Sequence, residues 1–203
     1  MSEMFNQELP IKRARSKEEV IKEWILIPLI EAYELVKKDI TPKTYENKIT
    51  WKIVYNVKHN SSISKEIYEK HIIDVSCRPK EDSDENTPNE PDIKFFISHI
   101  CAFWIEAKRI YKNGTVSDYC GDGGLGCFLS GYYSKHEDNG CMIAYIQEGQ
   151  LSDIQKEIME KVNGCNCIEL IEDIGIDNSF LSRHERAIHR EIKIYHLLFD
   201  FVK

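Results

Sequence analysis

WIEAKR, residues 104 to 109, sets a glutamate and a lysine two positions apart inside an apolar run that begins CAF and ends IY. Ionised side chains are costly to bury unless they are paired or ligate a metal, so the stretch is either a surface strand or the floor of a site. In a strand alternate side chains share a face, which puts Glu106 and Lys108 together with Ala102 and Trp104 beside them. Just upstream, DIKFFIS (92 to 98) reads as a neighbouring apolar strand. If the two pair antiparallel through a turn around Ser98 to Cys101, Asp92 comes level with Glu106 and Lys108, and three ionisable groups converge.

The rest of the chain sets the frame for that cluster. Its 203 residues, 42% hydrophobic and 10% aromatic, suit one globular domain over 1–203 with a sizeable core. Residues 1 to 15, which include KRAR at 12 to 15, are expected to form a flexible basic tail or arm. No apolar run approaches the roughly 18 residues of a membrane span, and the N-terminus has no apolar signal core, so a cytoplasmic protein without membrane contact is expected. Seven cysteines without a CxxC pair read as reduced thiols; Cys165 and Cys167 lack the second ligand pair of a structural zinc site. A net charge of −7 argues against a surface that grips nucleic acid everywhere, while leaving room for a local basic groove.

Residues 16 to 38 predict a long first helix: Ser16 and Glu19 have capping-box spacing, apolar residues recur at 20, 24, 27 and 30, Pro28 should kink it and TPK at 41 to 43 should end it. TWKIVYNVK alternates Trp51, Ile53, Tyr55 and Val57 with mostly polar partners and predicts a half-buried strand. KEIYEKHIIDVSC is a short helix or strand leading into another strand, and the proline-rich acidic stretch 78 to 91 is a surface loop. Eight of the ten glycines fall between 114 and 149, directly after the WIEAKR strand. A glycine-broken helix around 123 to 135, a strand at CMIAYIQ, an amphipathic helix over 151 to 162 and a terminal strand at EIKIYHLLFDFV complete a mixed α/β order.

Two carboxylates held close raise one another's pKa, and a hard divalent cation such as Mg²⁺ (or Mn²⁺) removes that penalty. The cation acidifies its water and neutralises charge at phosphorus, and a nearby lysine can assist the attacking water, so phosphodiester cleavage suits the set. Pro91-Asp92, thirteen residues, then Glu106-Ala107-Lys108 resembles the PD-(D/E)xK signature of the restriction-endonuclease-like phosphodiesterase superfamily. That resemblance implies an α/β fold with a restriction-endonuclease-like core, a mixed central sheet flanked by helices. It also implies that Asp92, Glu106 and the backbone carbonyl of Ala107 ligate the metal, with Lys108 as the catalytic lysine. Many members add a glutamate from the first helix, for which Glu23 and Glu31 are candidates. GCFLSGYYSKHEDNGCMIAYI is similar to the segment that follows E-x-K in members of the superfamily, which would set Gly131, Tyr133 and Tyr145 near the site. An aromatic helix face packed on the sheet is the other reading of those tyrosines.

Two further motifs lie outside that cluster. GDGGLG, residues 121 to 126, matches G-x-G-x-x-G in form, but about ten residues separate it from the preceding strand, and no acidic residue closes a second strand some twenty further on. SRHERAIHREIK places Ser182, His184, Arg186, His189 and Arg190 before the last strand, with His184 and Arg186 as candidate phosphate or substrate contacts and a charged turn as the plain reading. Together these expectations describe a metal-dependent nuclease acting on DNA, working with a partner subunit or as a homodimer, in a restriction or antiphage defence setting. The alternative is a catalytically inert module of the same fold that binds a partner protein or nucleic acid.

Overall fold

The computed structural model describes residues 16–63, 67–77, 91–97, 101–111, 115–187 and 190–202. The expected basic tail, most of the acidic loop, the turn at 98–100, Gly114 and His189 lie outside the described residues.

Ser16 opens the first helix as expected, its hydroxyl accepting from the Glu19 N–H at 3.1 Å. Helix α1 (Lys17–Ile21) runs through a π-helical turn (Lys22–Leu26) into α2 (Ile27–Val36), and a 3₁₀ turn (Lys37–Asp39) ends it before Thr41-Pro42. The π turn sits directly before Pro28, whose ring would clash with the carbonyl four residues back in a regular helix. Widening one turn absorbs that conflict without interrupting the helix.

The next element corrects the sequence reading. The segment predicted as a strand is helix α3 (Glu46–Asn60), with Ile49, Thr50, Ile53, Val54 and Val57 buried. Ile53 and Val57 satisfy a period of 2 and a period of 3.6 alike, so the alternation was ambiguous. Val54 on the nominally polar side breaks the tie. The helix leaves Trp51 and Tyr55 in solvent, where a strand would have buried them.

Seven strands follow: β1 (Ile73–Cys77), β2 (Ile93–Ile97), β3 (Cys101–Ile110), β4 (Asn139–Ile146), β5 (Cys167–Ile171), β6 (Ser179–Glu185) and β7 (Glu191–Asp200). They form one mixed, open sheet in the order β1-β2-β3-β4-β7-β6-β5. β3 pairs with β4, and β4 with β7, in parallel; the outer pairings are antiparallel. Helices α4 (Thr115–Cys120) and α5 (Leu125–Leu129) connect β3 to β4, and α6 (Leu151–Asn163) follows β4. β5 and β6 were not anticipated. β5 is short and poorly buried, and β6 carries Ser179, Ser182 and His184 inward, so neither offers an apolar period.

Each central strand feeds two cores. On β4, Cys141, Ile143 and Tyr145 pack with α1 to α3, while Met142, Ala144 and Ile146 pack with α4 to α6. All eight residues of β4 are buried, the mark of a strand covered on both faces. On β3 the same alternation sends Phe103, Ile105 and Ala107 toward α1 to α3. Trp104 and Ile110 face α4 to α6, and Glu106 and Lys108, of the same parity, face that way too. No helix among the described residues is long and apolar enough to cross a membrane.

Candidate active site

β2 and β3 pair antiparallel with Ile93 opposite Ile105. Continuing that register sets Asp92 opposite Glu106 and Pro91 opposite Ala107, the convergence anticipated from the sequence. Asp92 replaces the missing ladder partner: its Oδ2 accepts from the Ala107 N–H at 2.9 Å. Pro91 has no N–H to offer the Ala107 carbonyl. In a strand the N–H and C=O of one residue point to the same edge, so this carbonyl faces the side where Asp92 stands.

The next inward-edge amide is taken by a residue that sequence reasoning missed. Glu46, the first residue of α3, accepts from the Arg109 N–H through Oε2 at 2.9 Å. The amides of Ala107 and Arg109 lie two residues apart, so Asp92 and Glu46 grip the strand edge at points about 7 Å apart. The available signal was an acid at a helix N-terminus, hidden by reading the segment as a strand. The first-helix candidates are elsewhere. Glu31 Oε2 accepts from the Ser62 N–H at 2.8 Å, and Glu23 is exposed on the π turn.

Glu106 is 5% exposed, and its two oxygens differ. Oε1 accepts from Lys108 Nζ at 2.5 Å, whereas Oε2 is buried without a hydrogen-bond partner. Burial, then the Asp92 carboxylate, push the Glu106 carboxyl up to about 7 against the opposing pull of Lys108. Burial alone would lower the Lys108 ammonium, but the summed pull of Glu106, Asp92 and Glu46 carries it above its ordinary value. Among the described residues, negative charge is therefore in excess at this point of the sheet.

Tyr133 forms the wall over this pair, 3% exposed and packed on Trp104, Phe128 and Tyr132 at centroid distances of 5.8, 5.5 and 5.4 Å. Its phenol is pushed up by burial and next by Glu106. Cys127, also missed, lies on the same side; burial and then Glu106 raise its thiol, whose Sγ donates to the Asp122 carbonyl at 3.0 Å. Gly131 acts on the turn: its φ of 78° is the left-handed conformation that carries the chain from α5 to Tyr133. GDGGLG is likewise a packing device. A Cβ at Gly124 would come within 2.2 Å of the Tyr119 carbonyl oxygen, so the glycine permits the close α4–α5 turn.

Two expected contacts are corrected. Tyr145 packs on the opposite face of the sheet, its hydroxyl 3.1 Å from Thr50 Oγ1, and its phenol, pushed up by burial, also feels Asp92 and Glu46, so it stays beside the site as expected. Arg186, 3% exposed, donates to the carbonyls of Ser134 (2.8 Å), Glu137 (3.0 Å), Arg190 (3.2 Å) and Glu191 (3.5 Å), which straps the loop before β4 and leaves no fork for a phosphate. His184 is fully buried in a separate polar chain. Its Nδ1 lies 2.8 Å from the Cys165 carbonyl and its Nε2 2.6 Å from Ser182 Oγ, which is 2.7 Å from His196 Nε2; His196 Nδ1 is 2.8 Å from Tyr119 Oη.

Burial lowers the pKa of His184 and takes His196 well below its ordinary value, so both rings are neutral. The direction of every bond then follows from the donor inventory. A carbonyl can only accept, so His184 Nδ1–H donates to Cys165 and its Nε2 must accept from Ser182. The serine has spent its one proton, so His196 Nε2–H donates to it, and Tyr119 donates to His196 Nδ1.

A divalent cation fits the charged cluster by one observation, the orphaned Glu106 Oε2 in a place of excess negative charge. Asp92, Glu106 and the Ala107 carbonyl could hold it, with Glu46 beside them. Among the described residues no group of three His, Cys, Asp or Glu side chains is arranged to hold a metal by itself, so waters or a substrate oxygen would complete the shell, as Mg²⁺ commonly requires. Compared with protein-family models, curated proteins and solved structures, the chain matches none.

Proposed function

We propose that this chain is a metal-dependent nuclease with a restriction-endonuclease-like core, hydrolysing phosphodiester bonds of DNA with Mg²⁺ or Mn²⁺. The observation that carries the reading is the buried, unpartnered Glu106 Oε2 beside Asp92 and within reach of Lys108. A buried carboxylate oxygen left without a donor costs stability, and such a cost is retained where a ligand relieves it.

Asp92 and Glu106 hold the cation, and the Ala107 carbonyl is presented to the same edge by the strand. When bound, the cation supplies a more acidic water and neutralises charge on the phosphate. Lys108 then exchanges its bond to Glu106 for one to a phosphate oxygen or the attacking water, and stabilises charge developing at phosphorus. Glu46 anchors the strand end through Arg109 and adds negative charge beside the cation site. Tyr133 and Trp104 keep bulk water off the inner side of Glu106. Cytoplasmic placement, a partner subunit or second copy, and a role in restriction or antiphage defence belong to the same proposal.

Cleavage of supercoiled, linear and single-stranded DNA, and of RNA, is the test. Wild type should cut with Mg²⁺ or Mn²⁺ and not with EDTA, and Asp92→Ala, Glu106→Ala and Lys108→Ala should each lower the rate by about 10³-fold or more. Metal-dependent cutting that survives all three would sink the site. A folded wild type that cuts nothing would instead favour the inert binding module.

A further inference from the structure

Helix α3 carries an exposed aromatic ladder. Trp51 is 53% exposed and Tyr55 47%, their rings stack at 5.5 Å, and Tyr55 meets His59 at 4.6 Å. The rungs are four residues apart, about 6 Å along the helix axis, and Asn47 is the rung before Trp51. Asn47 lines a pocket of about 370 Å³ whose walls include Glu46, Lys108, Tyr45, Tyr111 and Asp118. The ladder therefore runs to the mouth of the candidate active site.

At that mouth the Arg109 guanidinium lies between two more exposed rings, 4.5 Å from Tyr111 and 5.7 Å from Tyr45. Its Nε donates to Gln147 Oε1 at 2.6 Å and a terminal nitrogen to the Pro42 carbonyl at 3.2 Å, so this platform is pre-organised. The helix is also basic on an acidic chain. Lys48, Lys52 and Lys58 flank the rings, against a net charge of −7 for the whole sequence. Lys52 and Lys58 reach Asp39 at 3.2 Å and Asp74 at 3.8 Å, but both acids are exposed, and such surface pairs yield readily to a phosphate.

We infer that the exposed face of α3 is a track for single-stranded nucleic acid, along which unpaired bases stack on Trp51 and Tyr55 while the reacting nucleotide enters the pocket beside Lys108. The inference rests on the nuclease reading and names its substrate class. Rings interleaved with cations suit a strand whose base faces are free; a duplex hides those faces and gains nothing from the rings. The pocket volume falls within the roughly 300–1,000 Å³ of small-ligand sites, enough for one nucleotide and too small for a base-paired segment.

The test reads binding in EDTA, where no cleavage is needed. Fluorescein-labelled dT12, rU12 and a 12-base-pair duplex are titrated with the full chain by anisotropy, comparing wild type with Trp51→Ala/Tyr55→Ala and Tyr45→Ala/Tyr111→Ala. The expected result is single strands preferred over duplex by at least about tenfold, and a loss of about tenfold per ring removed. The DNA and RNA oligomers decide between the two sugars. Hydrolysis of bis(p-nitrophenyl) phosphate, too small to reach α3, should be unchanged in Trp51→Ala/Tyr55→Ala. Equal affinity for duplex, or single-strand affinity untouched by the ring variants, overturns the track, and it leaves the nuclease reading intact if metal-dependent cleavage persists. A dimer that dissociates in Trp51→Ala/Tyr55→Ala without a change in oligonucleotide affinity also overturns it, because a second copy then covers the ladder. Wild type that neither binds nor cuts any nucleic acid overturns both.

Discussion

Two buried polar clusters share one face of the sheet and differ in a single respect. Glu106 on β3 aligns with Met142 on β4, and Met142 with His196 on β7, so the clusters are about two strand spacings, roughly 10 Å, apart. Around His196 each donor meets an acceptor in a closed sequence from Tyr119 to the Cys165 carbonyl, with both rings neutral. Around Glu106, among the described residues, the Asp92 and Glu46 carboxylates add to its own against the Lys108 ammonium, and an oxygen of Glu106 is left over. Tyr68, Ser134, Asn139 and Arg183 also have an unpartnered buried atom, but none of these is a carboxylate crowded by another. Burial of polar groups therefore does not mark a site by itself. What sets Glu106 apart is a buried carboxylate crowded by another, with an oxygen left over.

The largest expected effect in the neutral cluster comes from Ser182→Ala. It leaves His184 Nε2 and His196 Nε2 without partners in a dry interior, at about 1–3 kcal/mol each, so unfolding free energy should fall by roughly 2–6 kcal/mol. Denaturant titration reads that loss, while cleavage measured well below the melting temperature stays at the wild-type rate. Lost cleavage with unchanged stability would make the chain from Tyr119 to His184 part of the chemistry and erase the contrast.

A smaller effect separates the three helix glutamates. Glu46→Gln keeps an oxygen for the Arg109 N–H but removes a charge beside the proposed cation site, and should weaken metal affinity or activity by about 10–100-fold. Glu23→Gln and Glu31→Gln should leave both unchanged. If Glu31→Gln matches Glu46→Gln, the assignment of Glu46 fails.

The smallest effect is one of pH. The folded-state pKa values of His184 and His196 lie below their ordinary 6.5, so the unfolded chain takes up protons that the folded chain refuses. Their contribution to stability is complete above about pH 6.5 and declines as pH falls below it. Urea denaturation at pH 7.5 and pH 5.5 in a Glu106→Gln background, which removes the opposing proton uptake of the raised Glu106 carboxyl, should show a weaker fold at the lower pH. In Tyr119→Phe, which removes the donor to His196, the dependence should be shallower, and an identical slope would remove His196 from the account.

The charged cluster was legible in the sequence because strand parity and a short antiparallel turn suffice to bring Asp92, Glu106 and Lys108 together. Glu46 was not, because Ile49, Trp51, Ile53, Tyr55 and Val57 alternate as well as any strand and the helical period shows only through Val54. The same misreading concealed the ladder, since a strand would have turned Trp51 and Tyr55 inward. β5 and β6 were invisible for the opposite reason. Ser182 and His184 are buried by bonding to other side chains and to backbone, which leaves no hydrophobic period to read. Arg186 looked available for a phosphate because four backbone carbonyls brought together by the fold cannot be seen in a linear sequence.

Isothermal titration of the intact chain with Mn²⁺ at neutral pH, compared with Asp92→Asn and Glu106→Gln, tests the central proposal most directly. The account predicts saturable binding in wild type that is lost in both variants while each keeps its fold by circular dichroism. Saturable Mn²⁺ binding that is unchanged in both variants, or none in wild type, would contradict it.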